Sequence, residues 1–395
     1  MKFKAIYNKF LILIFFAIIL ISIVANTLKI DINPGINENR ILSKKPNIPQ
    51  KFADIKTYLR SFEKYYNDNF GLRKVFIKAN SEIMDDIFDT SPFNATIIGK
   101  NGWLFQNTLE SIIDFQGKKV LSKDELKTTA EYLVENWKEL ESNNIDYLFL
   151  ALPNKTSIYS EYLPSNIKKG KTRLDQITEY LNKHYPDFPI IDLRPVFLSA
   201  KQKEQIYQIT DSHWNHKGAF IAYTEFMNYL HKRYNYSKPL KKNNFIIQET
   251  TLNLGDLSKL INNTQTSQPF KIIPKIKINI KKNKKSEFLK YEPFWYKEVV
   301  PEEYISEYQH LPKLLILGDS FSSFFKELVP HHFSSSTLIS GHYCKLNINA
   351  IKEQKVDLVI QASLERMLAK TVYKCLKFKN GEKVDDTLRD LPGLL

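Results

Sequence analysis

The eight residues Leu314-Leu315-Ile316-Leu317-Gly318-Asp319-Ser320-Phe321 constrain the fold of this chain more than any other stretch. A short apolar run stops at Gly-Asp-Ser, and Phe321, Phe324, Phe325 and Leu328 then recur at helical spacing. This pattern reads as a buried strand, a tight turn and an amphipathic helix. Ser320 is thereby placed at the carboxyl end of a strand and the amino end of a helix. There the unpaired N–H groups of the first helical turn can face a developing negative charge, and α/β folds gather their chemistry at such edges. Two roles are open to a serine in that position, nucleophile or cap of the helix.

Similar segments flank it. Ile145 to Leu152 reads as a buried strand ending in Pro153-Asn154-Lys155, and Pro189 to Leu193, Thr337 to Ser340 and Val356 to Gln361 read as further strands. Among them lie helical patterns: Leu126, Ala130, Leu133, Trp137 and Leu140 behind the capping box Ser122 and Glu125, then Lys217 to Tyr234. Strands alternating with helices predict a parallel sheet covered on both faces. Earlier, Phe52, Ile55, Leu59, Phe62 and Tyr66 predict a helix closed by Gly71, and a second helix runs through Phe76, Ala79 and Ile83. Ala95 to Ile98 and Trp103 to Phe105, joined by Gly99-Lys100-Asn101-Gly102, predict a β-hairpin. Residues 262–291 are Lys-rich, include Lys281-Lys282-Asn283-Lys284-Lys285, and read as an exposed insertion with solvated lysines.

The amino terminus bears on the compartment. Lys2, Lys4 and Lys9 precede the apolar run Phe10 to Ala25, and basic residues before such a run hold that end in the cytoplasm. At 1.5 Å per residue the run covers about 24 Å of a hydrocarbon core roughly 30 Å thick, which Tyr7, Leu28 and a snorkelling Lys9 can extend. Cleavage after Ala25 would put the bulky Ile23 where a small residue is wanted, which favours an uncleaved anchor over a signal peptide. The organisation expected is residues 1–30 as cytoplasmic start and signal-anchor helix, 31–50 as linker, and 51–395 as one catalytic domain outside the cytoplasm. With 395 residues and 43% hydrophobic content, the chain can bury a core of that size. The net charge of +14 suits an acidic polymer, an anionic membrane surface or plain lysine bias. No zinc-type cysteine spacing, Gly-rich phosphate loop or repeat is present, so no cofactor, metal or nucleic-acid partner is expected. Cys344 and Cys375 are the only cysteines, and the sequence leaves open whether they are bridged.

About a hundred residues before Ser320 stands Thr210-Asp211-Ser212-His213-Trp214, between the short apolar stretch Ile206 to Ile209 and the Lys217 helix, so it too is read at a strand-to-helix transition. A serine hydroxyl needs a base to take its proton, and the base needs a third group to hold its tautomer. Asp211 and His213, two apart in an extended loop, can point the same way and supply both. Alone, Asp-x-His is as compatible with a loop turn or half a metal site. With a serine at a neighbouring strand end it becomes a candidate triad.

These residues, with Gly218-Ala219 after the first block, resemble the SGNH-hydrolase-like polysaccharide O-acetyltransferases of the alginate acetylation type, the AlgJ, AlgX or DHHW family. Glu38-Asn39-Arg40, Asp68-Asn69-Phe70-Gly71-Leu72-Arg73, Gly99 to Phe105, Pro153-Asn154-Lys155, Gly255-Asp256-Leu257 and Glu365-Arg366 follow in a similar order, so the resemblance covers about residues 36–368. It implies an SGNH-like, flavodoxin-like α/β domain whose acid and histidine precede the serine. It also implies Ser320 as nucleophile, His213 as base and Asp211 as orienter. The activity implied is transfer of acetyl, received from a membrane-bound O-acyltransferase, onto hydroxyls of a cell-surface or exported polysaccharide. No counterpart of the separate Gly and Asn blocks of ordinary SGNH oxyanion holes is visible. The Ser320 N–H is one donor, and Asn154 is a candidate second whose alternative is a turn residue. Trp214 could stack on a sugar or pack in the core. His216 is read as a helix-start residue, His331 and His332 as surface residues, and Glu365 with Arg366 as a structural ion pair. An O-acetylesterase and a non-catalytic glycan-binding or assembly protein are the alternative functions.

Overall fold

The segment from residue 146 to 152 shows why a parallel sheet forms. Both sides of the strand are apolar, with Leu148, Leu150 and Leu152 in one core cluster and Tyr147, Phe149 and Ala151 in another. Such a segment can be satisfied only where both sheet faces are covered. The computed structural model describes residues 15–17, 20–28, 30, 32, 43–49, 55–76, 79, 95–249, 254–261, 270–275, 279–283, 286–290, 301–341 and 343–381. The chain divides into two compact units, Met1–Thr96 with Ser258–Thr264, and Ile97–Leu257 with Gln265–Leu395.

In the first unit, helix α1 (Ile55–Asn69) ends with Asp68 accepting a hydrogen bond from the Ser43 N–H at 2.9 Å and Asn69 donating to the Ser43 carbonyl at 3.0 Å. These two bonds tie the linker to the helix end. Of the apolar run Phe10 to Ala25, residues 10–14, 18 and 19 lie outside the described residues, and residues 20–27 are helical. Among the described residues no helix is long and apolar enough to cross a membrane. The expected helix through Ile83 is described only as far as Phe76 and at Ala79.

The expected hairpin follows, β1 (Thr96–Ile98) and β2 (Leu104–Gln106), whose turn places Asn101 at φ 54° and Gly102 at φ 75°. Helix α2 (Lys123–Ser142) starts at the Ser122 and Glu125 capping box, as expected. The chain continues through β3 (Asp146–Leu152), α3 (Lys155–Ile158), α4 (Arg173–His184), β4 (Ile190–Asp192) and α5 (His216–Tyr234). Next come β5 (Phe245–Glu249), α6 (Asp256–Leu260), β6 (Phe270–Pro274), β7 (Ile280–Asn283) and β8 (Glu302–Ser306). The last elements are β9 (Lys313–Gly318), β10 (Ser335–Ser340), β11 (Leu358–Leu364) and α7 (Leu368–Lys379). The main sheet has the order β4-β3-β11-β9-β10-β8-β7. Its first five strands are parallel, with Leu358 opposite Asp146 and also opposite Leu314.

Three expectations need correction. The sheet is mixed, because β8 pairs antiparallel with β10 and β7 antiparallel with β8. The Lys-rich region is more than an insertion: its described part supplies β6, paired with β5, and the edge strand β7. Charge alone hid β7, since lysines are compatible with an edge strand whose outer side faces water. Residues 206–209 make no strand. They carry only an isolated bridge from Tyr207 to Trp214. Cys344 and Cys375 are disulfide-bonded, joining the segment after β10 to α7.

Candidate active site

Ser320 stands two residues after the end of β9, at the carboxyl edge of the sheet beside β11. Gly318 lets β9 pass close to β11 there, since a Cβ would lie 3.1 Å from Ala362 Cβ and 3.2 Å from its carbonyl oxygen. The segment Ser320–Glu327 is a run of 3-10 turns, tighter than the α-helix expected, and its N-cap is Asp319. Asp319 accepts from the Phe321 N–H at 3.0 Å and, with its other oxygen, from the Leu364 N–H on β11 at 2.9 Å. Burial raises the Asp319 carboxyl above its ordinary range, against the pull of those two N–H groups and of Arg366. The capping role thus belongs to Asp319, and Ser320 is left exposed.

The hydroxyl of Ser320 lies 2.8 Å from His213 Nε2, and His213 Nδ1 lies 2.7 Å from Asp211 Oδ1. The same carboxylate oxygen accepts the His213 backbone N–H at 2.9 Å, so a single residue fixes both backbone and ring. The imidazole rests against the Phe321 ring, with centroids 4.8 Å apart. Burial opposes ionisation of Asp211, but His213 and the N–H groups of His213 and Asp256 outweigh it and push the carboxyl down to about 2. The carboxylate therefore stays charged across the physiological range. Serine, histidine and aspartate are brought together in the order that proton transfer from the hydroxyl requires.

Asp256 is a site residue that the sequence did not single out. Its backbone N–H donates to Asp211 Oδ2 at 3.0 Å, and its carboxylate accepts from the Ser212 N–H at 2.7 Å and the Ser212 hydroxyl at 2.6 Å. One of its oxygens lies 3.7 Å from His213 Nδ1. The approach needs Gly255, since a Cβ there would sit 2.0 Å from the Thr210 carbonyl oxygen. The block Gly255-Asp256-Leu257 is visible in the sequence, but nothing local to it announces which loop it meets. Asp211, His213 and Asp256 have ligand atoms within 4.8 Å of one another and could hold a cation. Against that use, both His213 nitrogens already have hydrogen-bond partners in Asp211 and Ser320.

The remaining candidates fall elsewhere. Asn154 is buried; its N–H donates to Glu365 at 3.1 Å and its side-chain oxygen accepts from Arg366 Nη1 at 3.2 Å. Trp214 cannot stack on a sugar, because its ring is fully buried against Phe197, Phe321 and Phe325. Glu365 pairs with Arg194 at 3.2 Å and accepts from Ser157 at 2.6 Å, which corrects the expected pairing with Arg366. His216 starts α5 as expected, while His332 is buried between Tyr223 and Ser237 rather than on the surface.

Residues 96–324 match the family described as SGNH hydrolase-like domain, acetyltransferase AlgX. This chain belongs to that family. Membership of the AlgX family agrees with an α/β, SGNH-like fold. Among solved structures, Bacillus cereus PatB1 with a sulfonyl adduct is 17% identical with a TM-score of 0.53, covering 71% of this chain and 96% of its own. A DHHW family protein from Eubacterium siraeum is 14% identical with a TM-score of 0.50, covering 71% of this chain and 98% of its own. These likenesses show the fold this AlgX family member shares with them. No curated protein matches the chain.

Proposed function

We propose that this protein transfers an acetyl group, through an acetyl ester on Ser320, to hydroxyls of a polysaccharide outside the cytoplasm. The observation that carries the reading is the exposed Ser320 hydroxyl 2.8 Å from a histidine whose other nitrogen lies 2.7 Å from a partly buried carboxylate. His213 takes the Ser320 proton as Oγ attacks the acetyl carbonyl, and the imidazolium that forms is stabilised by Asp211. The same proton then leaves with the donor's alcohol or thiol. In the second half, an acceptor hydroxyl gives its proton to His213 and attacks the acetyl-serine, and His213 returns that proton to the departing Ser320 Oγ, restoring the free hydroxyl. The Ser320 N–H is the donor we assign to the oxyanion, and Asn154, turned toward Arg366 and Glu365, is withdrawn from that role.

Several features support the location and partners. The Lys-preceded run Phe10 to Ala25 supports a single-pass anchor with the amino terminus inside, and the disulfide supports an oxidising compartment. The matched family is described as an acetyltransferase, and the motif resemblance in the sequence implies a membrane-bound O-acyltransferase as the source of acetyl and an exported polysaccharide as its destination. The exposure of Ser320 favours a second reading, an O-acetylesterase, because only exclusion of water separates the two outcomes.

The test is to give the full chain an activated acetyl ester, locate the label by mass spectrometry, and add oligosaccharides. Acetyl on Ser320 that passes to sugar is the expected result. Release to water with every glycan tried would make the protein an esterase. Polymer acetylation that persists in cells carrying Ser320→Ala would leave only a binding or assembly role. Chelators should not change the labelling; dependence on a stoichiometric metal would reassign Asp211 and His213.

A further inference from the structure

The carboxyl end of β3 leads into Lys155, a residue that the proposed chemistry does not use. Its side chain is 4% exposed, and its ammonium donates to three carbonyl oxygens: Leu104 at 2.6 Å, Ile209 at 2.7 Å and Asp211 at 3.0 Å. Three donors on Nζ meet three acceptors, which is the full capacity of a lysine. The nitrogen also lies over the rings of Trp103 and Phe105, 5.0 Å and 5.3 Å from their centroids. Among the described residues no carboxylate pairs with it directly, although Asp211 and Asp256 favour its charge from further away. A buried cation held only by carbonyl dipoles and rings is costly, and burial lowers its pKa to about 7. A neutral side chain would fill this space at less cost, so the position of the charge calls for a reason.

Its acceptors give one. Two of the three carbonyls belong to the loop that carries Asp211 and His213, and the third belongs to the hairpin strand β2. That loop has no regular ladder: besides the isolated bridge at Tyr207 and a Leu104 N–H donating to the Ile209 carbonyl at 2.9 Å, it is held by Asp256 on its other side. We infer that Lys155 is a positioning residue of this site: its ammonium gathers the backbone of the Asp211 loop onto the hairpin, so that the Asp211 carboxylate, which Asp256 also holds, faces His213. The inference rests on the acyl-transfer reading of Ser320 and His213. Lys155 itself touches neither serine nor substrate.

The experiment follows covalent labelling of Ser320 in the full chain by a sulfonyl fluoride, together with turnover of an acetyl ester. Unlabelled wild-type protein would refute the triad reading, whatever Lys155 does. If the wild type is labelled, Lys155→Met, with near-native Tm and near-ultraviolet circular dichroism, should lose on the order of 10²-fold in labelling rate and in kcat. KM should stay within about threefold, since no substrate contact is removed. Lys155→Gln restores two donors without the charge and should recover part of the loss, and it carries the test if Lys155→Met does not fold. Lys155→Arg keeps the charge but cannot converge on three carbonyls, so it should fall short of wild type. A folded Lys155→Met or Lys155→Gln that is labelled at the wild-type rate would overturn the proposal, as would a loss confined to KM.

Discussion

The two halves of the site are built on opposite principles. Ser320 hangs from β9, an interior strand of a parallel sheet, and its turn is fixed by Gly318 and the Asp319 cap within a few residues of itself. Asp211 and His213 sit on a loop with one bridge, held by residues far away in sequence, Lys155 and Asp256. The serine is thus placed mainly by its own turn, with one bond from Asp319 to β11, while the Asp211 and His213 loop adds distant contacts to its own Asp211–His213 bonds. The strand half should therefore tolerate changes outside its own turn, and the loop half should be broken from a distance.

The largest expected effect lies in the shared hydrogen-bonded line. Asp211→Asn should leave Tm nearly unchanged yet lower acetyl transfer on the order of 10⁴-fold, the scale of loss when a serine protease's aspartate is replaced by asparagine and the wrong imidazole tautomer is imposed. His213→Ala should cost at least as much, and steady-state ester turnover reads both. A loss below about tenfold in Asp211→Asn would mean that Asp256, 3.7 Å from the same nitrogen, can replace it.

Next comes the loop half attacked from outside. Gly255→Ala puts a Cβ 2.0 Å from the Thr210 carbonyl, so the Asp256 backbone must retreat from Asp211. Activity should fall on the order of 10²-fold with the sheet intact, measured as kcat against far-ultraviolet circular dichroism. If Gly255→Ala is fully active, the loop is not held from that side.

Stability, not turnover, is what changes on the strand half, where His332 lies beyond the Ser320 turn. Burial, helped by the neighbouring His331, lowers its pKa to about 4 from 6.5. The unfolded chain takes up that proton first as pH falls. The contribution of neutral His332 is therefore complete above pH 6.5 and is lost as pH drops toward about 4, on the order of 3 kcal/mol. Denaturant titrations of His332→Phe should show a flatter acid slope in that window, while the slope of Gly255→Ala should match the wild type.

The same division explains what could be read from sequence. Leu314 to Ser320 carries its own signals, an apolar run, a glycine and a capping carboxylate, so the strand, the turn and the serine could all be named. The capping box at Ser122 and Glu125 and the hairpin around Gly99 to Gly102 are equally local. Trp214 is ambiguous because an indole beside a polar loop looks alike whether it faces sugar or core; only the surrounding Phe197, Phe321 and Phe325 decide it. Lys155 and Asp256 give no local sign of their targets, which lie 56 and 45 residues away. Strand β7 at the edge and its neighbour β8 escaped for another reason: they form an antiparallel border rich in polar residues, and no alternation of apolar residues marks them.

That border has a consequence for how the protein behaves in company. Among the described residues one rim of the sheet is β7, reading Ile280-Lys281-Lys282-Asn283, with Lys281 exposed and Lys282 paired to Glu302 across the strands. An open strand rim offers free backbone groups to any other strand that drifts alongside, and identical molecules at high local density are the commonest source. Two copies meeting rim to rim would bring like charges together at strand spacing, and the pairing would be repelled before its hydrogen bonds could form. The lysines thus keep the sheet finite in a crowd of its own kind.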